Sequence, residues 1–191
     1  MASPTSDYQT VHRMALKRQA IPLPDLAGKS VLDVGCEAGY WCKLASDEGA
    51  SRVLGLDRGR LVHGIGWVDL VAQNRAQGWP RCEFERIDLG KEWSQFGTFD
   101  VVLVMSVYHH IYGNCGDHDA IWAWLRKHTA DDGVLIWEGP LDTTDSVSRR
   151  WAGEGYTRAA ILDAGAHYFD PELVGPALHE PTREVLRCTP K

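Results

Sequence analysis

The sequence lacks several features that would assign it to a common class. No apolar run approaches the roughly 20 residues of a membrane-spanning helix, and no charged-then-apolar signal pattern opens the chain. Lys and Arg number 20 against 26 Asp and Glu, and the resulting net charge of −6 disfavours a protein that coats nucleic acid. The 5 cysteines include no Cys-x-x-Cys pair. We therefore expect a cytoplasmic protein with reduced thiols and no membrane partner.

Strand-like apolar runs alternate with stretches of helical spacing along all 191 residues. Connections too long for hairpins favour parallel βαβ units, and the length suits a single domain over 1–191. Within it we distinguish an N-terminal helical segment, 1–27, from the core, 28–191. The predicted strands are 30–34, 52–57, 82–88, 99–105 and 133–138, with 167–173 and 183–188 as a closing pair that includes one antiparallel strand. The predicted helices are 8–19, 40–48, 60–77, 119–128, 146–152 and 157–164.

The stretch 31–41 carries the most functional information. An apolar run reaches Asp33, turns through Gly35 and Gly39, and enters an amphipathic helix. A glycine turn lets a ligand lie against bare backbone, and the following helix N-terminus offers unpaired N–H groups. In an open α/β sheet this corner lies where ligands bind, at the carboxyl ends of the strands. The stretch therefore predicts a nucleotide-type cofactor site.

Acidic residues lie at the ends of the first three predicted strands. Asp33, Asp57 and Asp88 should ring one crevice, because parallel strands end at the same edge of the sheet. Asp57 is placed to accept hydrogen bonds from ribose hydroxyls, and Asp88 from an exocyclic amine such as adenine N6. Asp33 either anchors the turn or reaches an ammonium group. A lone strand-end Asp often caps a helix or turn, but three behind a glycine turn favour a nucleoside site.

These residues together resemble the class I S-adenosylmethionine-dependent methyltransferases, over about residues 28–140. The resemblance implies a doubly wound, Rossmann-like α/β fold: a seven-stranded, mostly parallel sheet with one antiparallel strand and helices on both faces. It implies S-adenosyl-L-methionine as the cofactor and S-adenosyl-L-homocysteine as the product. The residues it implies for cofactor binding are Asp33, Gly35, Cys36, Glu37, Gly39, Asp57, Arg58, Asp88, Leu89, Met105 and Ser106.

The glycine loop departs from the family pattern at one position. Glu37 stands where the family usually has a middle glycine, so this residue needs either an ordinary backbone conformation or a tolerated strained one. Its carboxylate either accepts a hydrogen bond from the cofactor's ammonium or points to solvent. The loop resembles a Gly-Cys-x-x-Gly-Tyr-Trp variant of branches that include wobble-uridine and sugar or lipid O-methyltransferases. It does not fit the Gly-x-Gly-x-x-Gly of dinucleotide-binding dehydrogenases.

Polar residues after the predicted strand 99–105 are the candidates for acceptor chemistry. Methyl transfer to a hydroxyl requires alignment and removal of a proton, and an imidazole removes protons near neutral pH. His110 and His109 are therefore candidate bases, with packing or capping of the next helix as the alternative. Tyr108 and Glu138 are the predicted acceptor contacts.

A group of possible metal ligands follows the same strand, but its spacing matches no zinc pattern. We predict a solvated loop there and no metal site. The group comprises His109, His110, Cys115, Asp117, His118 and Asp119.

The predicted activity is a methyltransferase acting on a small-molecule or sugar-type acceptor, on oxygen. A tRNA or RNA base remains an alternative, because basic residues can form a local patch, namely Arg13, Lys17 and Arg18 with Arg149 and Arg150. A non-catalytic cofactor-binding module is a further alternative, encouraged by Glu37. Residues 8–13 either fold over the cofactor as a lid or form a plain surface helix. The sequence does not determine the oligomeric state.

Overall fold

The computed structural model describes residues 16–59, 79, 81–141, 150, 152–178 and 180–191. The strands are β1 (Ser30–Val34), β2 (Arg52–Asp57), β3 (Cys82–Arg86), β4 (Phe99–Met105), β5 (Thr129–Pro140), β6 (Phe169–Ala177) and β7 (Glu180–Pro190). The helices are α1 (Tyr40–Asp47), α2 (Tyr108–Cys115), α3 (His118–His128) and α4 (Arg158–Gly165), and residues 16–20 are also helical. None of the described helices has the length and hydrophobicity to cross a membrane.

The strands form a seven-stranded sheet in the order β3-β2-β1-β4-β5-β7-β6. Strands β1 to β5 run parallel, and β7 runs antiparallel to both β5 and β6. The predicted α/β fold, with one antiparallel strand in a mostly parallel sheet, is confirmed. The chain moves outward from β1 to β3 and then returns to β4 beside β1. This reversal opens a crevice at the carboxyl ends of β1 and β4, the usual ligand position in such sheets.

Strand β4 is buried on both faces, as its continuous apolar run predicts. Val101, Val102, Leu103 and Val104 are all at most 1% exposed. Successive side chains point to opposite faces of the sheet, so Val102 and Val104 pack with α2 and α3 while Val101 and Leu103 pack with α1. The central strands are therefore rigid supports for the residues that follow their carboxyl ends.

Helix α2 replaces the solvated loop that we predicted after β4. Tyr108, Ile111 and Tyr112 recur at helical spacing and are all buried against the sheet. Polar residues between them, such as His109 and His110, hide this period in the sequence. Strands β1, β2 and β4 have the predicted bounds. The other described elements differ from prediction at their ends, most clearly β5, which begins at Thr129 rather than at 133. The predicted helix 60–77 and most of 8–19 and 146–152 lie outside the described residues.

Candidate functional site

The glycine loop between β1 and α1 adopts left-handed backbone conformations at alternate residues. The φ angles are 74° at Gly35, 46° at Glu37 and 81° at Gly39. A Cβ on Gly35 would lie 2.4 Å from the side chain of Val107, so any larger residue would collide with the segment after β4. The absence of a side chain at Gly35 thus allows the loop to lie close to the carboxyl end of β4.

Glu37 adopts a strained left-handed backbone conformation rather than an ordinary one. A left-handed backbone costs a residue with a Cβ roughly 1 kcal/mol or more, and the side chain of Glu37 is exposed. Its N–H donates to Asp57 Oδ2 at 3.2 Å, and the N–H of Gly59 donates to Asp57 Oδ1 at 2.8 Å. The Asp57 carboxylate therefore joins the glycine loop to the segment after β2.

Asp33 is fully buried beneath the loop. Cys42 Sγ donates to Asp33 Oδ2 at 3.3 Å, while Asp33 Oδ1 has no hydrogen-bond partner among the described residues. Burial raises the pKa of Asp33 from 3.8 to about 7, with a further increase from Asp57 and opposing effects of Cys42 and Lys17. A buried carboxyl group with a spare acceptor oxygen is suited to receive a ligand's ammonium group.

Asp88 lies in the turn after β3 and has two partners. Lys91 Nζ donates to Asp88 Oδ2 at 2.8 Å, and Asn114 Nδ2 donates to Asp88 Oδ1 at 2.9 Å. These contacts, that of Lys91 above all, lower the pKa of Asp88, so it is ionised at neutral pH. Asn114 also donates to the carbonyl oxygen of the buried Leu89 at 2.7 Å. Asn114 was not among the predicted site residues, because it lies on α2, which was not predicted as a helix.

A second polar cluster, formed by Lys17, Ser106, Glu138 and Arg183, lies at the carboxyl ends of β4 and β5. Ser106 Oγ accepts from Lys17 Nζ and Arg183 Nη1, both at 2.7 Å, and donates to Glu138 Oε2 at 2.7 Å. Lys17 Nζ also lies 2.8 Å from Glu138 Oε2. The three charged side chains are at most 8% exposed. Ser106 has a φ of 59°, so backbone strain occurs here too.

Glu138 is ionised despite its burial. Desolvation alone would raise the pKa of Glu138, but Lys17, Ser106 and Arg183 together lower it. Ser106 and Glu138 were predicted as site residues, whereas the contacts of Lys17 and Arg183 with them were not predicted. The only prior signal for Lys17 was its place in a basic rim.

The candidate bases lie in the first turn of α2. His109 is buried, His110 is half-buried, and their ring centroids are 4.2 Å apart. Tyr108 is fully buried, and its hydroxyl lies 3.0 Å from His118 Nδ1 within an aromatic cluster. The side chain of Tyr108 therefore gives no support for an acceptor contact, which stays a prediction.

The remaining predicted positions lie at the ends of β1, β2 and β4 or directly after them. Cys36 and Met105 are each 5% exposed, and the N–H groups of Gly35 and Cys36 both donate to the Leu56 carbonyl. Arg58 follows β2 next to Asp57. Among the described residues, no three His, Cys, Asp or Glu side chains are arranged to hold a metal ion.

The site fits S-adenosyl-L-methionine by the chemistry of its residues. Asp57 and Asp88 offer carboxylates at the ends of β2 and β3, suited to ribose hydroxyls and to an amine. Asp33 offers a buried acceptor oxygen without a partner among the described residues. The left-handed loop brings backbone, rather than side chains, to the edge of the crevice between them.

Comparison with known proteins agrees with this interpretation. Residues 6–173 match a family described as "Methyltransferase domain". Among solved structures, an S-adenosylmethionine dependent methyltransferase from Mesorhizobium loti superposes with a TM-score of 0.66 at 20% identity, covering 92% of this chain and 95% of that one. The N-methyltransferase NodS from Bradyrhizobium japonicum, in complex with S-adenosyl-L-homocysteine, gives 0.61 at 14% identity, covering 98% and 88%.

A curated relative, the tRNA U34 carboxymethyltransferase of Alteromonas mediterranea, is 31% identical over 134 residues. The match covers 70% of this chain and 39% of that protein, so the chain spans less than half of the relative's length. The family match, the sheet order and the loop with its strand-end acids lead to one assignment. The chain belongs to the methyltransferase domain family and has the fold of S-adenosylmethionine-dependent methyltransferases.

Proposed function

We propose that the enzyme methylates a small polar acceptor, of sugar type or another hydroxylated class, on oxygen. The observation that carries the proposal is the buried cluster of Lys17, Ser106, Glu138 and Arg183. Burying charges carries a large desolvation cost, so a buried ion pair is weak evidence for a purely stabilising role. Ser106 precedes the candidate bases of α2 by three and four residues in the chain, and the polar groups of the cluster are of the kind that recognise hydroxyl groups by hydrogen bonds.

The proposed roles of the cofactor-side residues follow from their hydrogen-bonding capacity. Asp57 receives the ribose hydroxyls, Asp88 the adenine amino group, and Asp33 the ammonium group. When bound, the cofactor supplies an electrophilic methyl group on a sulfonium. The remaining requirement is to orient an acceptor hydroxyl and accept its proton, which we assign to Glu138 and His110 respectively. His110 is preferred to His109 because it is less buried.

The five cysteines are all free thiols. This state is compatible with the cytoplasm, where thiols are kept reduced, and we propose that location for the enzyme.

The proposal is tested by methyl transfer from radiolabelled cofactor to separate pools of small hydroxylated molecules and of total tRNA. We expect acid- and base-stable label in a small-molecule product with the wild-type enzyme. His110→Ala should lower turnover by about a hundredfold, since general bases contribute 10²–10⁴, with affinity for S-adenosylhomocysteine unchanged. His167→Ala is the matched control, because His167 is exposed and distant in sequence from the site. Full activity of His110→Ala would remove it as the base.

A tRNA base is the second candidate acceptor. The curated relatives with matching sequence are named tRNA U34 carboxymethyltransferase, in Alteromonas mediterranea and in Idiomarina loihiensis. If this candidate holds, label enters a nucleoside of digested tRNA and none enters the small-molecule pool. That result would contradict the small-acceptor proposal while leaving the assignment of the enzyme class intact.

A further inference from the structure

Asn114 connects the turn that carries Asp88 to helix α2. Its side-chain nitrogen has two hydrogens, and they go to two acceptors on consecutive residues: Asp88 Oδ1 at 2.9 Å and the Leu89 carbonyl oxygen at 2.7 Å. Because both neighbours are acceptors only, the amide nitrogen and not the oxygen must face them. The side chain therefore has one orientation, and it fixes the carboxylate through one of its oxygens.

The turn is packed so closely on α2 that it has little freedom to shift. Gly90 has a φ of 91°, and a Cβ there would lie 2.6 Å from the Ile111 carbonyl oxygen and 2.7 Å from Asn114 Cβ. The N–H groups of Lys91 and Glu92 both donate to the Asp88 carbonyl oxygen, which closes the turn on itself. The rotation of the Asp88 side chain is then the main freedom left, and Asn114 removes it.

The two oxygens of Asp88 have partners of different strength. Oδ1 is held by the half-buried Asn114, whereas Oδ2 pairs with Lys91, whose side chain is 63% exposed. Exposed ion pairs contribute little, so a ligand donor can replace Lys91 at modest cost. Asn114 thus leaves Oδ2 as the oxygen that an incoming amine meets.

We infer that Asn114 is a positioning residue that makes Asp88 selective for a 6-aminopurine over a 6-oxopurine cofactor. A fixed, ionised carboxylate accepts a hydrogen bond from a 6-amino group and repels a 6-oxo group. A carboxylate free to rotate can turn away from the oxo group, and the preference then falls. This inference rests on the adenine contact proposed for Asp88 and not on the identity of the acceptor.

The test compares binding of S-adenosylhomocysteine and S-inosylhomocysteine by calorimetry. A hydrogen bond to a charged group corresponds to a preference of roughly tenfold to a hundredfold, which we expect in the wild type. Asn114→Ala should reduce the preference to within about threefold. Asn114→Asp, which keeps the shape of the side chain but turns the donor into a second carboxylate, should do the same at pH 8. Cys115→Ala, one residue along the same helix, should keep the wild-type preference.

The outcomes separate the inference from the proposed function. If the wild type binds neither ligand, the proposed cofactor contacts fail as a whole. If the wild type binds both ligands equally, or if both Asn114 variants keep the full preference, the positioning role is overturned. Loss of affinity for both ligands to the same degree, with the preference unchanged, also overturns it, because a purely structural defect has that signature. Asn114→Asp keeps the test decisive if Asn114→Ala does not fold.

Discussion

Replacing Asp33 with asparagine should make the stability of the protein less dependent on pH. The folded protein holds a proton on Asp33 up to about pH 7, whereas the unfolded chain releases it near pH 3.8. The folded state therefore binds more protons between these values, and the free energy of unfolding falls as the pH rises. A tenfold change in an ionisation constant is worth about 1.4 kcal/mol, so this loss totals about 4 kcal/mol. Asparagine has a similar shape and does not titrate.

The measurement is urea denaturation of the wild type and Asp33→Asn at four pH values from 4 to 7.5. As the pH rises, the wild type should lose unfolding free energy relative to the variant by about 1.4 kcal/mol per pH unit. This relative loss should level off above pH 7. With a denaturant slope of about 2 kcal/mol/M, the midpoints shift relative to each other by about 2 M. Carboxylates with lowered pKa, such as Asp88, titrate in both proteins and cancel in the difference. A difference that does not vary with pH would refute a buried, protonated Asp33.

Three further substitutions test the site. Asp57→Ala should abolish measurable S-adenosylhomocysteine binding in calorimetry, since it removes the proposed ribose acceptor and the loop contact to Glu37; unchanged affinity would contradict both roles. Glu37→Gly should stabilise the protein by about 0.5–1 kcal/mol by removing a strained left-handed residue and leave this affinity intact; a large loss of affinity would identify Glu37 as a ligand contact. Lys17→Met should destabilise by about 3–5 kcal/mol in urea denaturation, because Glu138 loses a buried partner, and the double variant with Glu138→Gln should recover part of this; additive losses would argue against the pair.

The sheet and the glycine loop were predictable because their signals are local. An apolar run such as 99–105 already indicates a buried strand, and the spacing of Gly35 and Gly39 behind Asp33 already indicates a turn. Helix α2 was missed because polar histidines lie among its buried apolar residues. Ile111 and Tyr112 lie three and four residues after Tyr108, as the apolar face of a helix requires. Counting apolar residues at helical spacing would therefore have predicted the helix.

The acceptor-side cluster has no comparable local signal. Lys17 and Ser106 are 89 residues apart, and Arg183 and Ser106 are 77 apart. Their meeting depends on the sheet order, which places β7 beside β5, and on the path of the N-terminal segment. Only Ser106 and Glu138 could be expected there, since the ends of parallel strands fix their positions relative to each other. Contacts of this kind follow from the assembled fold and not from any pattern along the chain.

Two buried carboxyl groups in this crevice have opposite protonation for one physical reason. Cys42 is the one residue that donates hydrogen bonds to Asp33 in the described part of the chain, so burial dominates and the pKa of Asp33 rises to about 7. Glu138 has Lys17, Ser106 and Arg183 around it, and its pKa falls. A carboxyl group with a pKa near 7 releases its proton when a cation arrives beside it. A carboxylate that is already ionised and paired with two cations has no proton to release. The β1 end of the crevice is therefore suited to a positively charged ligand, and the β5 end to a neutral acceptor that engages preformed hydrogen bonds.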